Sequence, residues 1–299
     1  MVKDQVRVRV GPREVTLTNL DKVLWPEDNF TKRDLIQYYA RVSRYILPHL
    51  RDRPLSLVRY PDGISTPGFY QKDAPPGTPW WVKTVPVVSG SSRTTRYILC
   101  NDTATLVWMA NQAVVEVNPW SSRREHLSAP DFAVFDLDPA EGSSWEDVKI
   151  VARAVKAFLD ELGLWSFPKV SGATGLHVYV PVKNEYSHKQ IVLFVKRAAQ
   201  IIETAMPEKV TLKRPVGERY GKVYIDYLQN SPGQTIVAVY SVRARPGAPV
   251  SMPISWDELD SVKPDCWNIK TAPERLEEKG DLFEPCLYQK QKIDRLLSQ

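Results

Sequence analysis

The stretch "PDFAVFDLDPAEGSSWEDV", residues 130–148, constrains the fold more than any other part of the chain. Alternate residues of a strand point to the same side. Phe132, Val134, Asp136 and Asp138 therefore share one face, and Ala133, Phe135 and Leu137 the other. A turn follows, then a capping pattern at Ser144 and Asp147, a helix from Trp145 to Leu162 and a stop at Gly163. Two carboxylates on one strand face repel each other, which raises one pKa unless positive charge lies between them. A divalent cation is the usual remedy, since hard oxygen ligands suit magnesium and manganese. A solvent-facing strand end is the other reading of the same pattern.

With 299 residues the chain can bury a substantial core, and 43% hydrophobic with 25% charged residues leaves no case for disorder. No apolar run spans a bilayer and the N-terminus is not signal-like, so a cytoplasmic protein with no membrane partner is expected. Cys100, Cys266 and Cys286 show no paired spacing and read as buried thiols. The net charge of +5 mildly favours a polyanionic partner. Basic clusters at Arg51/Arg53, Arg123/Arg124, Lys213/Arg214 and Arg243/Arg245 suit either a phosphate-tracking groove or a solvated surface.

Short strands are predicted at "VRVRV", "REVTLTNL", "LSLVRYP", "PWWVKTVPVV", "TRYILC" and "AVVEVNPW". Helices are predicted after Thr31, where Leu35, Ile36, Tyr39, Val42 and Ile46 recur at helical spacing, and at "TATLVWMANQ". Beyond the aspartate strand come a strand-turn-strand at "FPKVSGATGLHVYVPV", a helix capped by Ser187 and Gln190, and strands at "KVYIDYLQN" and "TIVAVYSVRAR". The tail is irregular with one or two short helices. The pattern predicts an α+β architecture.

Further polar residues stand in apolar company. Asp226 lies inside the strand predicted at "KVYIDYLQN", where a charge is costly unless it is paired or metal-bound. In "VSGATGLHVYV" two glycines bracket a tight turn whose N–H groups can face an anion, and Ser171 and His177 flank it. Arg243 adds a cation at a strand end. Ion pairs and hydrogen-bonded core residues are the other readings of these residues taken singly, the more usual ones for His177 and Arg243.

Taken together, D-L-D-P, S-G-x-x-G-L-H, I-D-Y-L-Q-N and Y-S-V-R-A-R-P-G-A-P-V resemble the motifs of the archaeo-eukaryotic primase superfamily. More narrowly the chain resembles the polymerase domain of bacterial and archaeal ligase D, from "TLTNLDKVLWPE" through "RPLSLVRYPDG" and "GFYQKDAP" to the tail. The resemblance implies a primase-like α+β core with central, mostly antiparallel sheets flanked by helices. It implies one domain over residues 1–299, with a DNA-end-binding portion about 1–128, a catalytic portion about 129–250 and a tail about 251–299. No K-x-D-G ligase motif is visible, which leaves a stand-alone protein and an excised domain both open.

By the same resemblance, Asp136, Asp138 and Asp226 hold two divalent cations, Mn2+ or Mg2+. Ser171, His177 and Arg243, with Gln229 and Arg219, contact the incoming nucleoside triphosphate. Asn19, Lys22 and Lys32 bind the 5′-phosphate of a DNA end or gap, and Phe69 and Tyr70 stack on template bases. Ku and a DNA ligase are the implied companions, and a nucleoid-associated location follows. Two positions depart from the family's pattern: Asn118 in "VEVNPW" replaces a common histidine, and Thr174 replaces a basic residue. Both remove a possible triphosphate contact. The implied function is template-directed addition of nucleotides, with ribonucleotides preferred, during non-homologous end joining. The competing class is a weakly catalytic or non-catalytic DNA-end alignment module. An aspartate-nucleophile phosphatase, which also uses D-x-D, is disfavoured because Pro139 follows the second aspartate.

Overall fold

The computed structural model describes residues 5–88 and 94–297. Backbone contacts divide the chain into two units: Met1–Trp120 with Thr235–Ser251 and Trp267–Gly280, and Ser121–Gln234 with Met252–Cys266 and Asp281–Gln299.

The first unit begins with a hairpin, β1 (Gln5–Val10) and β2 (Arg13–Thr18), turned by Gly11 at φ +55°. A small ribbon, β3 (Val23–Trp25) with β4 (Phe30–Thr31), feeds α1 (Lys32–Leu50). Thr31 and Asp34 close the expected capping box at the start of α1. Leu35, Ile36, Tyr39, Val42 and Ile46 are all buried along it, as their spacing requires. The sheet that follows comprises β5 (Leu55–Arg59), β6 (Phe69–Gln71), β7 (Lys83–Val88), β8 (Thr94–Leu99) and, after α2 (Thr103–Asn111), β9 (Val114–Pro119). Every pairing in it is antiparallel, and β5 is the hub, joined to β6, β8 and β9. Helix α2 is buried on nearly all sides, which suits its apolar run from Leu106 to Ala110.

The second unit is built on β10 (Phe132–Pro139), followed by α3 (Trp145–Glu161), β11 (Phe167–Val170), β12 (Leu176–Pro181), α4 (His188–Ala205), β13 (Val210–Thr211) and β14 (Val223–Ile225). The sheet order is β11-β12-β10-β14-β13, antiparallel except for the last pair. A central strand must be apolar on both faces, and the two faces of β10 are covered differently. On one face Phe135 meets Phe194 of α4 edge to face at 6.2 Å. On the other, Phe132 packs on Tyr179 at 4.9 Å and Tyr179 on Phe283 at 5.0 Å. Each such aromatic, fully buried, contributes about 1.5–3 kcal/mol. Asp136 and Asp138 lie on this second face, beyond the aromatic cluster.

The structure corrects the sequence expectation in three places. "KVYIDYLQN" is a strand only over Val223–Ile225; Asp226 leaves it and Tyr227–Asn230 forms a 3₁₀ turn. The reason is Asn230, whose side-chain amide accepts from Val134 N–H and donates to Val134 C=O, both at 2.8 Å. That amide takes the ladder position a further strand residue would have filled. "TIVAVYSVRAR" is not a regular strand either. Tyr240 turns left-handed at φ 64°, and the Val117 N–H bonds to the Ser241 hydroxyl at 2.9 Å in place of a strand carbonyl. Third, Cys266 is exposed, whereas Cys100 and Cys286 are buried. Among the described residues no helix is long and apolar enough to cross a membrane.

Candidate functional site

In the second unit, strand register assembles the polar residues. Asp136 on β10 stands opposite His177 on β12, with His177 Nε2 3.3 Å from Asp136 Oδ1. Both are buried, while Asp138, two residues on, is exposed and pairs with Tyr224 of β14. Asp226 joins through its backbone, its N–H donating to the Asp136 carbonyl at 2.9 Å. Its carboxylate accepts from the Leu228 N–H at 3.0 Å and the Tyr224 hydroxyl at 3.3 Å. Burial first, then the neighbouring Asp226, pushes the Tyr224 phenol up to about 12, so it remains a donor through the physiological range. Gly175 is dictated by this geometry: a Cβ there would lie 2.5 Å from the Leu137 carbonyl oxygen and 3.2 Å from Asp138 Oδ1.

The glycine-bracketed turn differs from expectation in where its N–H groups go. The Ser171 hydroxyl accepts from Ala173 and Gly175 at 3.1 and 3.0 Å, and Gly172 N–H donates to the Pro264 carbonyl. These three donors hold the turn in shape rather than facing an anion. Ser171 thus braces the loop that presents exposed Thr174 at its tip and Gly175 against Asp138. Gln229 lies on the 3₁₀ turn after Asp226, and Arg219 stacks its guanidinium 3.6 Å from the Tyr224 ring centre. Asp136, Asp138, Asp226, His177, Gly175, Tyr224 and Arg219 are therefore joined by an unbroken chain of contacts within this unit.

The first unit contains a cavity of about 210 Å³ lined by Thr18, Asn19, Lys22, Lys32, Arg59, Pro61, Asn111, Gln112 and Ala113. All three residues expected to bind a 5′-phosphate line it. The start of α1 does not supply the charge, because its first N–H groups are taken. Lys32 donates to Lys22 C=O at 2.8 Å, Arg33 to Leu20 C=O at 2.9 Å, and Asp34 to the Thr31 hydroxyl. The side chains carry it instead. Lys32 is buried with Nζ 3.1 Å from the Asn111 carbonyl, and Lys22 Nζ lies 2.7 Å from Asp62. Asn19 adopts a left-handed φ of 52°, a conformation asparagine tolerates better than most residues.

Sequence reasoning missed Arg59. It donates to the Gln112 carbonyl at 2.8 Å and to Gln71 Oε1 at 2.9 Å, and its guanidinium lies 5.4 Å over the Phe69 ring. Burial lowers its pKa from the ordinary arginine value. Arg59 thereby joins the cavity to Phe69 and Tyr70, which are both exposed on β6. The cross-strand pairing of Arg59 with Phe69 is the signal that would have found it, but it requires the register of β5 and β6.

Asn118 and Arg243 belong to the first unit. Asn118 is buried on β9 opposite Ser56, and neither Asn118 Nδ2 nor Ser56 Oγ has a hydrogen-bond partner among the described residues. A buried donor left unsatisfied costs about 1–3 kcal/mol, so this one is open to an acceptor from outside the chain. Arg243 pairs with Glu116 at 3.0 Å. Of the basic clusters, Arg53 turns inward to the carbonyls of His49 and Trp120 and is structural.

Among the described residues no group of three or more His, Cys, Asp or Glu is gathered closely enough to hold a metal ion. The donor chemistry still fits a hard divalent cation, since Asp136 and Asp138 share a strand face and Asp226 is hydrogen-bonded to the backbone of the first. The bonds that Asp226 accepts from Leu228 and Tyr224 both fall on its Oδ1.

The fold and site define a class: an α+β protein with a carboxylate centre on one sheet and a basic cavity with room for a phosphate group in its other unit. Residues 31–283 match the family described as the LigD primase-polymerase domain. The chain is 39% identical over 280 residues to the multifunctional non-homologous end joining DNA repair protein LigD of Mycobacterium tuberculosis, covering 91% of this chain and 37% of that protein. It is 33% identical over 273 residues to the bifunctional non-homologous end joining protein LigD of Bacillus subtilis, covering 90% and 44%. The solved polymerase domain of Mycobacterium tuberculosis ligase D in complex with DNA superposes with a TM-score of 0.86 at 36% identity, over 93% of this chain and 99% of that one. The chain belongs to the LigD primase-polymerase domain family. It spans less than half the length of these two full-length relatives.

Proposed function

We propose that this protein adds nucleotides in a template-directed manner at DNA ends and gaps bearing a 5′-phosphate, as a nucleotidyltransferase of non-homologous end joining. The observation that carries the proposal is the placement of Asp136 and Asp138 on one strand face with Asp226, just past the end of the neighbouring strand, hydrogen-bonded to the Asp136 backbone. Family membership and the likeness to a DNA-bound polymerase domain support it.

Asp136, Asp138 and Asp226 would hold the divalent cations, Mn2+ or Mg2+. When bound, such ions supply neutralisation of the charge on the attacking and leaving oxygens. The chain's own residues do the positioning. His177 packs beside Asp136 and fixes the direction of that carboxylate. Ser171 braces the turn, so its route to the nucleotide runs through Thr174 and Gly175 as much as through its own hydroxyl. Arg219, held by the carbonyls of Lys213 and Arg214 and by the Tyr224 ring, offers a fixed cation, and Gln229 a neutral amide. Asn118 offers a buried donor with no hydrogen-bond partner among the described residues, and Arg243 a guanidinium anchored on Glu116. Nucleotidyl transfer depends mainly on such positioning and charge complementarity.

Asn19, Lys22, Lys32 and Arg59 would receive the 5′-phosphate, and Phe69 and Tyr70 would stack on template bases. Ku and a DNA ligase are the partners proposed for the joining step. The convergence of the basic side chains on one cavity also favours a second reading, an end-alignment module with little synthesis. Extension of a gapped, 5′-phosphorylated DNA in manganese, with ribonucleotides and deoxyribonucleotides in parallel, separates the two. Templated addition with a ribonucleotide preference supports the first; tight end binding without addition supports the second.

A further inference from the structure

An aromatic feature of the first unit has no part in the site described above. Trp80 is 86% exposed, the highest value of any large hydrophobic residue described. It is not an isolated ring on a neutral surface, because the Arg13 guanidinium lies 4.9 Å from its ring centre. The two residues come from different elements, Arg13 from β2 and Trp80 from the loop before β7, so the stack is a tertiary contact. Arg7 and Arg9 of the same hairpin lie on its other face, where Arg9 pairs with Glu14 while Arg13 pairs with Val10. Lys83, three residues past Trp80, is exposed.

An indole held out in water against a guanidinium, with an exposed lysine three residues on, suits one kind of partner. A protein hot spot is usually set among further apolar groups and excludes water. A nucleic-acid strand offers a base to the ring face and phosphates to the cations. The same unit holds the basic cavity, which the far end of β2 reaches at Thr18.

We propose that Trp80 and Arg13 form a stacking platform for an unpaired DNA strand, outside the basic cavity of the same unit. That the strand belongs to a DNA end rests on the proposed end-binding role of that cavity, while the stacking itself does not. The test is a titration of the full chain and its Trp80→Ala, Trp80→Phe and Arg13→Ala variants against a fluorescently labelled twelve-nucleotide single strand. The strand carries either a 5′-phosphate or a 5′-hydroxyl, and anisotropy is read at one salt concentration. Trp80→Ala should weaken binding about 5- to 150-fold, the loss of one stacked base. Trp80→Phe should keep most of the affinity, Arg13→Ala should fall between them, and the phosphate-to-hydroxyl ratio should not change in any variant. An affinity for Trp80→Ala within twofold of the parent overturns the platform. If the parent shows no phosphate preference, the cavity reading fails while the Trp80 effect is still measured independently. Because the side chain is solvent-exposed, loss of folding does not confound the comparison.

Discussion

The aspartate sheet and the basic cavity solve opposite electrostatic problems by opposite means. In the second unit like charges are brought close, and the backbone does the bringing: cross-strand register sets Asp136 against His177, and a main-chain bond ties Asp226 to Asp136. In the first unit cations converge, and they arrive from a turn, a helix start and a strand, at Lys22, Lys32 and Arg59. There the backbone N–H groups are already used, so recognition falls to side chains. The first arrangement tolerates little change in main-chain spacing. The second should respond one side chain at a time.

Gly175→Ala puts that contrast under the greatest strain. The added Cβ would collide with the Leu137 carbonyl at 2.5 Å and crowd Asp138. Nucleotide addition on gapped DNA should fall by about a hundredfold or more, roughly 2.7 kcal/mol of positioning, while the preference for a 5′-phosphate is unchanged. Addition within a few-fold of the parent would show that the sheet need not be so tightly spaced. Lys32→Ala should do the converse. Removing one charge-assisted contact, about 1.5–3 kcal/mol, should lower the 5′-phosphate preference about tenfold or more, read as the ratio of dissociation constants for phosphorylated and unphosphorylated gaps. Addition on saturating DNA should persist.

The legibility of the two regions in the sequence follows the same division. A strand period of two is enough to place Asp136 and Asp138 on one face, and the boxes at Thr31, Ser144 and Ser187 mark their helices. Periodicity could not show that Asp226 lies past its strand, because Asn230 completes the ladder with a side chain. Nor could it show that Ser171 keeps the turn's N–H groups for itself. Asn19, Lys22 and Lys32 come together because the short ribbon of β3 and β4 sets Val23 opposite Thr31, a pairing that the sequence pattern does not display, and only family motifs point to them. Arg59 escapes a reading of the sequence because its role depends on which strand pairs with which.

Asn118 offers a smaller test in the first unit. Asn118→Ala removes a buried donor that has no partner among the described residues, so thermal stability should hold or rise. If the donor serves a nucleotide oxygen, the KM for nucleotide should rise about fivefold. A fall in stability with unchanged KM would make it a packing residue.

The smallest effect concerns acid stability of the second unit. Lys209, through its hydrogen bond, and then the Ser144 cap hold the Asp147 carboxyl down at about 2, below its ordinary 3.8. Its folded-state pKa is depressed, so its contribution is complete above about pH 4 and is lost as pH falls through 2. Asp147→Asn should cost about 1 kcal/mol near neutral pH, and the gap from the parent should close between pH 4 and pH 2 in urea unfolding. A gap that widens on acidification would contradict the assignment.

The central claim is that carboxylate chemistry and end recognition reside in separate regions, and Asp138→Asn tests it most directly. Asp138 is exposed, so the substitution leaves the buried ladder intact. Addition and the 5′-phosphate preference should be measured on the same gapped DNA with the same protein. The account predicts that addition is lost, to about a thousandth or less of the parent, with the preference unaltered. Addition at near-parental rate, or a joint fall of both, would contradict it.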